Sequence, residues 1–560
     1  MNTSRTALVL ACSLGAGLAL TGRVLAESWT ETEAYYRSEG HADALFLRAR
    51  AFDRLAQASE GQGLALLQER YRSPRQPHAD EERTLIAGAL RWVPSDEAGR
   101  AALRAWIEAM RGRDPWLEYN ALTVLDGERL LALVQDPKEE AWRRAAAAQA
   151  LARAQYGVRP TVEALSAGLA ADALPRKKDD LALLAGGFGA AVLELQRALL
   201  DHPDEEDDSA IAPLVDALAA LAGHGKLDDT ARALLERRLK RLGRERGRGA
   251  AADPQRGGTR TGKGLGPTSF MGITVEGRER IVYVLDLSDS MLAPLSGVET
   301  ERLREASRRR PVTGSGGRTS ARDEEQERDP ADDLPWDRIR TRFDAAKAFL
   351  TRSLAELDPG TKFAVVVFGD EAQLLRSTPK LVDAGRGAKA AAAELAALQP
   401  GPPAQGRPNG TLRGQTNLHA AIRLAYQVST RGVLPLSKAI APGGPLDHVA
   451  DTVFVLSDGE PTRDDFPGSG PDRQVQAGTV TKVDPETGAT SSSQTAGGMA
   501  SSDHEGPYRD LDYFRREMER LSLFRWTQVH VVGLGECDEH WGRVLSRIGE
   551  GELRIVGGRD

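Results

Sequence analysis

The stretch IVYVLDLSDSM, residues 281–291, decides the fold of this chain. Its first part, residues 281–285, is an unbroken apolar run that does not alternate with polar residues. Such a run is typical of a strand buried on both faces of a parallel sheet. We therefore expect a central strand here, within a sheet that is covered on both sides.

Asp286, Ser288 and Ser290 follow this strand in the pattern Asp-x-Ser-x-Ser. In open parallel sheets, ligands bind beyond the carboxyl ends of the strands, which is where these side chains are expected. All three offer oxygen, the ligand type that hard cations such as Mg²⁺ prefer. An ordinary polar turn after a strand is the alternative, and these residues alone do not decide between the two.

Two later loops supply further oxygens. The segment GQTN, residues 414–417, opens a predicted helix, so the Thr416 hydroxyl at its N-terminus can point toward the same crevice. The predicted strand at residues 451–457 ends in DGEPT, residues 458–462, which gives Asp458 the position on its strand that Asp286 has on its own. We expect these oxygens to meet at one end of the sheet.

Together these motifs resemble a von Willebrand factor type A domain with its metal-ion-dependent adhesion site, over about residues 270–557. The resemblance implies a doubly wound, mostly parallel, Rossmann-like α/β sheet. It implies that Ser288, Ser290 and Thr416 contact a divalent cation directly, and that Asp286 and Asp458 hold it directly or through water. The cation is expected to be Mg²⁺, with Mn²⁺ or Ca²⁺ as alternatives, and a protein ligand is expected to donate an acidic side chain to it.

Asp289 departs from this pattern, because many members of the family have glycine there. If the backbone needs a positive φ at this position, Asp is one of the few tolerated substitutes. A third carboxylate near the cation would weaken the attraction for an incoming acid and could favour Ca²⁺.

The region before this domain, residues 27–243, is rich in Ala and Leu with apolar residues three and four apart, which predicts amphipathic helices. A Leu-rich segment at residues 130–134, an Asp-Pro turn and the segment WRRAAAAQAL at residues 142–151 resemble the junction of HEAT-type repeats. Such repeats stack into a solenoid with an extended surface. An irregular all-α domain is the alternative.

The chain is therefore expected to contain several parts, as its 560 residues also suggest. Residues 244–268 are basic and Gly-rich, which predicts a flexible linker. The α/β domain is assigned to residues 269–560, with insertions at about 299–333 and 464–507. Its strands are predicted at residues 281–285, 362–368, 372–377, 451–457, 527–533 and 552–556.

The N-terminus predicts export. Residues 1–26 combine Arg5, an apolar run and a small-residue cleavage pattern, as in a signal peptide. No later membrane span is expected, and lipidation at Cys12 is disfavoured, so the mature chain is expected in the periplasm or outside the cell. Removal of residues 1–26 would leave Cys537 as the single cysteine, so no internal disulfide is expected.

No enzymatic motif accompanies these features. The nine histidines are scattered, and neither a nucleophile elbow nor a phosphate-binding loop is present. We expect a non-enzymatic binding protein, in which the helical repeats offer a second surface or a stalk. One alternative is RNA binding like that of the Ro ribonucleoproteins, although the acidic run at residues 204–208 and the net charge of −7 disfavour nucleic acid. The other is a cell-envelope scaffold with a structural metal.

Overall fold

The structure is a computed structural model. It describes residues 28–94, 96–153, 158–201, 211–246, 268–271, 273–275, 279–308, 334–398, 415–444, 446–459, 461–466, 479–483, 490–494, 506–535 and 537–556. The predicted signal peptide, residues 247–267 of the predicted linker, the acidic run at residues 204–208 and large parts of both predicted insertions lie outside these residues.

The described residues between 28 and 246 are almost entirely helical. Their α-helices are α1 Trp29–Glu39, α2 Leu45–Gln57, α3 Leu64–Arg72, α4 Ala79–Ala89, α5 Glu97–Met110, α6 Pro115–Leu122, α7 Gly127–Gln135, α8 Ala141–Arg153, α9 Val158–Gly168, α10 Lys178–Asp201, α11 Ala212–Ala222 and α12 Asp229–Arg246. Acidic side chains cap several of them: Asp96, Asp114 and Asp126 each accept a hydrogen bond from a backbone N–H of the first turn that follows. The last helix continues three residues beyond the predicted end of the helical region.

Two neighbouring arginines of α8 join several of these helices. The guanidinium of Arg144 donates to the carbonyl oxygens of Ala173, Gly168 and Val134 at 2.7, 2.7 and 3.1 Å. Arg143 pairs with Glu118 at 2.7 Å. Carbonyls near helix C-termini have no partner within their own helix, so Arg144 supplies hydrogen bonds that the ends of α7 and α9 need. The WRRAAAAQAL segment is thus a structural centre of the helical region.

After residue 267 strands and helices alternate. The strands are β1 Thr268–Phe270, β2 Ile273–Val275, β3 Arg280–Asp286, β4 Lys362–Phe368, β5 Ala372–Leu374, β6 Val382–Asp383, β7 Val428–Ser429, β8 Gly432–Val433, β9 Thr452–Ser457, β10 Thr479–Val483, β11 Thr490–Gln494, β12 Gln528–Leu534 and β13 Glu550–Val556. The helices are α13 Gly297–Arg308, α14 Arg342–Glu356, α15 Ala384–Ala397, α16 Leu418–Gln427, α17 Leu436–Ala439, α18 Leu511–Ser522 and α19 Glu539–Ile548.

The main sheet has the order β13-β12-β9-β3-β4-β5, and β6 also pairs with β4. Strands β13, β12, β9, β3 and β4 are parallel, whereas β5 and β6 pair antiparallel with β4. From β3 the chain first adds β4 on one side and then returns to add β9 on the other. The carboxyl ends of β3 and β9 therefore flank a topological switch point, the position where ligands bind in such sheets.

All seven residues of β3 are buried, because both faces of the sheet are covered. Val282 and Val284 face a core that also contains α16, α18 and the N-terminal helices, whereas Tyr283 faces a second core with α14 and α15. The prediction of an all-α region followed by an α/β region with a mostly parallel, doubly covered sheet is confirmed.

The N-terminal helices pack directly against the α/β region, mainly through α18. Arg516 of α18 forms two hydrogen bonds to Asp53 at 2.7 and 2.9 Å, and Glu519 pairs with Arg91 at 2.9 Å. The rings of Phe46 and Tyr513 meet edge to face. One face of the helical region therefore lies against the helices that cover the sheet. A freely projecting stalk would not make such contacts.

Two helices, α14 and α10, bear on predictions made from the sequence. The sequence predicts a helix over residues 337–357, but α14 begins five residues later, at Arg342, because Thr341 and Asp344 form a capping box that fixes its start. Helix α10 is long and apolar enough to cross a membrane by length and composition, but 78% of its most apolar window is buried inside the protein. It is a core helix by this measure.

Candidate metal centre

Five residues that are predicted to bind a cation lie together beyond the carboxyl ends of β3 and β9. We call Asp286, Ser288, Ser290, Thr416 and Asp458 the sheet-end site. The hydroxyl oxygens of Ser288 and Ser290 are 3.0 Å apart, and the Ser290 hydroxyl donates to an Asp458 carboxylate oxygen at 2.7 Å. Three segments that are far apart in sequence therefore contribute oxygens to one place.

Asp286 is the most deeply buried member of the site. One of its oxygens accepts from the Ser288 N–H at 2.8 Å and the other from the Ser457 hydroxyl at 2.5 Å. Burial raises the pKa of Asp286 to about 7, although both serines oppose this shift. A positive charge placed nearby would favour the ionised form of this carboxylate.

Thr416 is held by the loop before α16. Its N–H donates to the Thr462 hydroxyl at 2.9 Å, and the neighbouring Gln415 N–H donates to Asp370 at 2.9 Å. A Cβ on Gly459 would lie 3.6 Å from the Ser290 oxygen and 3.7 Å from the Thr416 oxygen. Glycine at this position thus leaves open the space between the two hydroxyls.

The spacing of the oxygens fits a small divalent cation. Adjacent ligands of an octahedral ion with bonds of about 2.1 Å stand about 3.0 Å apart. The Ser288–Ser290 and Ser290–Asp458 separations of 3.0 and 2.7 Å lie close to that value. Hydroxyl and carboxylate oxygens are also the correct chemistry for Mg²⁺.

Arg342, at the start of α14, binds the side of Asp458 that faces away from Ser290. Its guanidinium donates to the second Asp458 oxygen at 2.9 Å and lies 3.4 Å from Glu299. A Cβ on Gly535 would lie 2.2 Å from the guanidinium carbon, so a larger residue there would displace this arginine from its present position. Asp458 therefore has one oxygen directed toward the site and one held by Arg342.

Asp289 has no special backbone conformation. It is the first residue of a short 3₁₀ helix, Asp289–Leu292, and its φ is not positive. The condition under which Asp would stand in for glycine, a positive φ, is therefore not met. Its side chain is exposed beside the site.

Three residues that contact the site or support its loops, namely Ser457, Asp370 and Arg342, are not predicted from the sequence. Ser457 could have been found, because it ends a predicted strand immediately before Asp458. Asp370 also carried a signal, since it follows a predicted strand as Asp286 does. No local sequence pattern indicates Arg342, because its contact with Asp458 joins positions 116 residues apart.

A second cluster that could hold a metal lies where the helical region meets the α/β region. We call Glu81, His419 and Glu517 the interface cluster; their ligand atoms lie within 4.8 Å of one another. Both Glu517 oxygens accept from Arg520 at 2.7 Å, and Glu81 accepts from Arg423 at 3.1 Å and from the Tyr508 hydroxyl. Two guanidinium groups thus already balance the two carboxylates.

Cys537 is a free, partly buried cysteine near the sheet-end site. Burial, with help from Asp458, raises the pKa of its thiol to about 12. A thiol with so high a pKa is a poor nucleophile and a poor metal ligand near neutral pH.

The chain was compared with known protein families and with curated proteins once this geometry was established. No model of a known family matches the sequence, and no curated protein matches it either. Inference about function therefore depends on the geometry and chemistry of the sites themselves.

Proposed function

We propose that the α/β region is a von Willebrand factor type A domain in which the sheet-end site binds a divalent cation. The observation that carries the proposal is the meeting of three hydroxyls and two carboxylates at a topological switch point, with oxygen separations of 2.7 and 3.0 Å. Mg²⁺ is the preferred ion because it takes oxygen ligands and retains several waters. Mn²⁺ and Ca²⁺ are alternatives.

The residues of the site would hold such an ion without saturating it. Ser288, Ser290 and Thr416 bring no net charge, and Asp458 directs only one oxygen toward the site because Arg342 holds the other. A bound divalent cation would offer an exchangeable coordination position to an external carboxylate. The chain's own contribution is to keep that position partly desolvated and to orient the oxygens around it.

We further propose that the ligand is a protein that supplies an Asp or Glu side chain, and that the chain is an exported, non-enzymatic binding protein. Opposite charges attract more strongly in a half-buried crevice than in bulk water, which favours a carboxylate at this place. Thr416 and Asp458 are buried at 3% exposure each, which supports such a crevice. The helical region, as HEAT-like repeats, would provide a second interaction surface.

Capture of a ligand in the presence and absence of cation tests this function. Immobilised protein would be exposed to envelope extract with Mg²⁺ or with EDTA, and the captured proteins identified. We expect capture that is lost with EDTA and in Thr416→Ala. Capture should be kept in Ser353→Ala, which removes a buried hydroxyl of α14 that is bonded to Tyr283 of β3.

Capture that is unchanged by EDTA and by Thr416→Ala would contradict the proposal. Salt-sensitive capture of RNA would instead support a nucleic-acid-binding function, because contacts to phosphates weaken steeply as salt rises.

A further inference from the structure

A cavity of about 390 Å³ lies between the helical region and the α/β region. Helices α8, α10 and α12 line one side of it, and α18, α19 and the start of β13 line the other. Six arginines line the cavity: Arg153, Arg197, Arg238, Arg515, Arg525 and Arg547. Only three acidic residues line it, namely Glu194, Glu519 and Glu550. Among the described residues the lining arginines thus outnumber the lining acids by three, and one of these arginines, Arg515, also pairs with Asp512 outside the wall at 2.8 Å.

Two of the three carboxylates are each shared between two arginines. Glu194 lies 3.3 Å from Arg197 and 3.6 Å from Arg547. Glu519 lies 2.9 Å from Arg91 and 3.2 Å from Arg153. One carboxylate cannot neutralise two guanidinium groups, so positive charge remains along both sides of the cavity.

The pKa values of two of these glutamates are lowered by the neighbouring arginines. Burial alone would raise the pKa of Glu519, yet Arg153 and Arg91 lower it to about 2. Burial would likewise raise the pKa of Glu550, but Arg238 and Arg241 lower it. The neighbouring arginines therefore stabilise the ionised forms of both glutamates.

Arg525 lies at the buried end of the cavity and has no acidic partner among the described residues. It is 4% exposed, and it donates to the carbonyl oxygens of Ala439 at 2.8 Å and Ala450 at 3.4 Å. Its Nε atom has no hydrogen-bond acceptor there. Burial lowers its pKa to about 10, which still leaves it charged at neutral pH.

Tyr119 adds a second unpartnered polar group to the same wall. Its side chain is 1% exposed, yet its hydroxyl has no hydrogen-bond partner within the described residues. A buried hydroxyl without a partner costs about 1–3 kcal/mol. Because Tyr119 lines the cavity, a ligand that reaches this hydroxyl would relieve that cost.

We propose that this arginine cavity binds a small organic or inorganic anion with at least two carboxylate or phosphate groups. Arginines favour such groups because the guanidinium can donate two parallel hydrogen bonds to them. Arg153 and Arg197 of the helical region and Arg515 and Arg547 of the α/β region would face the anion from opposite sides. The anion would therefore strengthen the contact between the two regions.

Isothermal titration with citrate and with inorganic pyrophosphate tests the proposal, at constant ionic strength and without divalent cations, so that the sheet-end site is not involved. We expect saturable binding of one anion per chain for at least one probe. Binding of citrate only would identify carboxylates as the preferred groups, and binding of pyrophosphate only would identify phosphates.

Variants locate the binding. Arg547→Gln and Tyr119→Phe should each weaken it at least tenfold, whereas Arg543→Gln on the same helix α19 should not change it, because Arg543 pairs with the exposed Glu539. The Arg547 side chain is 59% exposed, so its loss should not unfold the protein. Absence of saturable binding for both probes, or an equal loss in Arg543→Gln, would overturn the proposal.

Discussion

The sheet-end site and the interface cluster lie at the same end of α16, because Thr416 precedes this helix and His419 is in its first turn. Both groups of residues bring two carboxylates close to other possible ligand atoms. In the interface cluster, Arg423 and Arg520 balance the two carboxylates. In the sheet-end site hydroxyls surround the carboxylates, and only Asp458 has an arginine partner. The partners of the acidic groups, more than the distance between those groups, therefore decide whether a cation can bind.

The largest effect is expected from breaking the interface cluster. Glu517→Ala should lower the free energy of unfolding by about 3–5 kcal/mol, because it leaves the buried Arg520 without its partner. Urea unfolding without divalent cation measures this. Glu539→Ala, which breaks an exposed pair with Arg543, should cost no more than about 1 kcal/mol. Equal losses in the two variants would show that the cluster does not stabilise the fold.

Acid should weaken the contact between the two regions through Glu519. The pKa of Glu519 is lowered from 4.5 to about 2, so its stabilising contribution is complete above about pH 4.5 and is lost as the pH falls toward 2. The stability difference between wild type and Glu519→Gln should therefore fall by about 2 kcal/mol between pH 6 and pH 3. Unfolding curves at both pH values measure it, and a constant difference would contradict this role.

A smaller effect is expected when one hydroxyl is removed from the sheet-end site. Ser290→Ala should weaken Mg²⁺ binding about 10- to 100-fold, comparable to the loss of a supporting metal-site contact. Isothermal titration measures the affinity, with Ser353→Ala as the control for loss of a hydroxyl in the same region. Unchanged affinity in Ser290→Ala would exclude its hydroxyl from the cation site.

The smallest effect concerns Arg342. Its positive charge lies beside Asp458, so Arg342→Gln should strengthen Mg²⁺ binding by about 1 kcal/mol, roughly fivefold, through reduced repulsion. Arg342→Lys keeps the charge and should leave the affinity near that of wild type. Weaker binding in Arg342→Gln would mean that the orientation of Asp458 matters more than the charge.

The sequence predicts the parts of the molecule that depend on local pattern. Strand β3 can be predicted because a strand buried on both faces has no polar alternation. The residues after strands β3 and β9 can be placed together because parallel strands end at the same edge of the sheet. Contacts between distant segments are not readable in this way. The pairing of Arg342 with Asp458 and the docking of α18 on the helical region depend on which surfaces meet, and no local pattern encodes this.

Mg²⁺ titration of the wild type, Asp286→Asn and Glu81→Gln tests the central claim most directly. We expect one Mg²⁺ per chain in the wild type and in Glu81→Gln, and no measurable binding in Asp286→Asn, because the cation would be held at the sheet-end site and not at the interface cluster. Binding that survives in Asp286→Asn and disappears in Glu81→Gln would contradict this assignment.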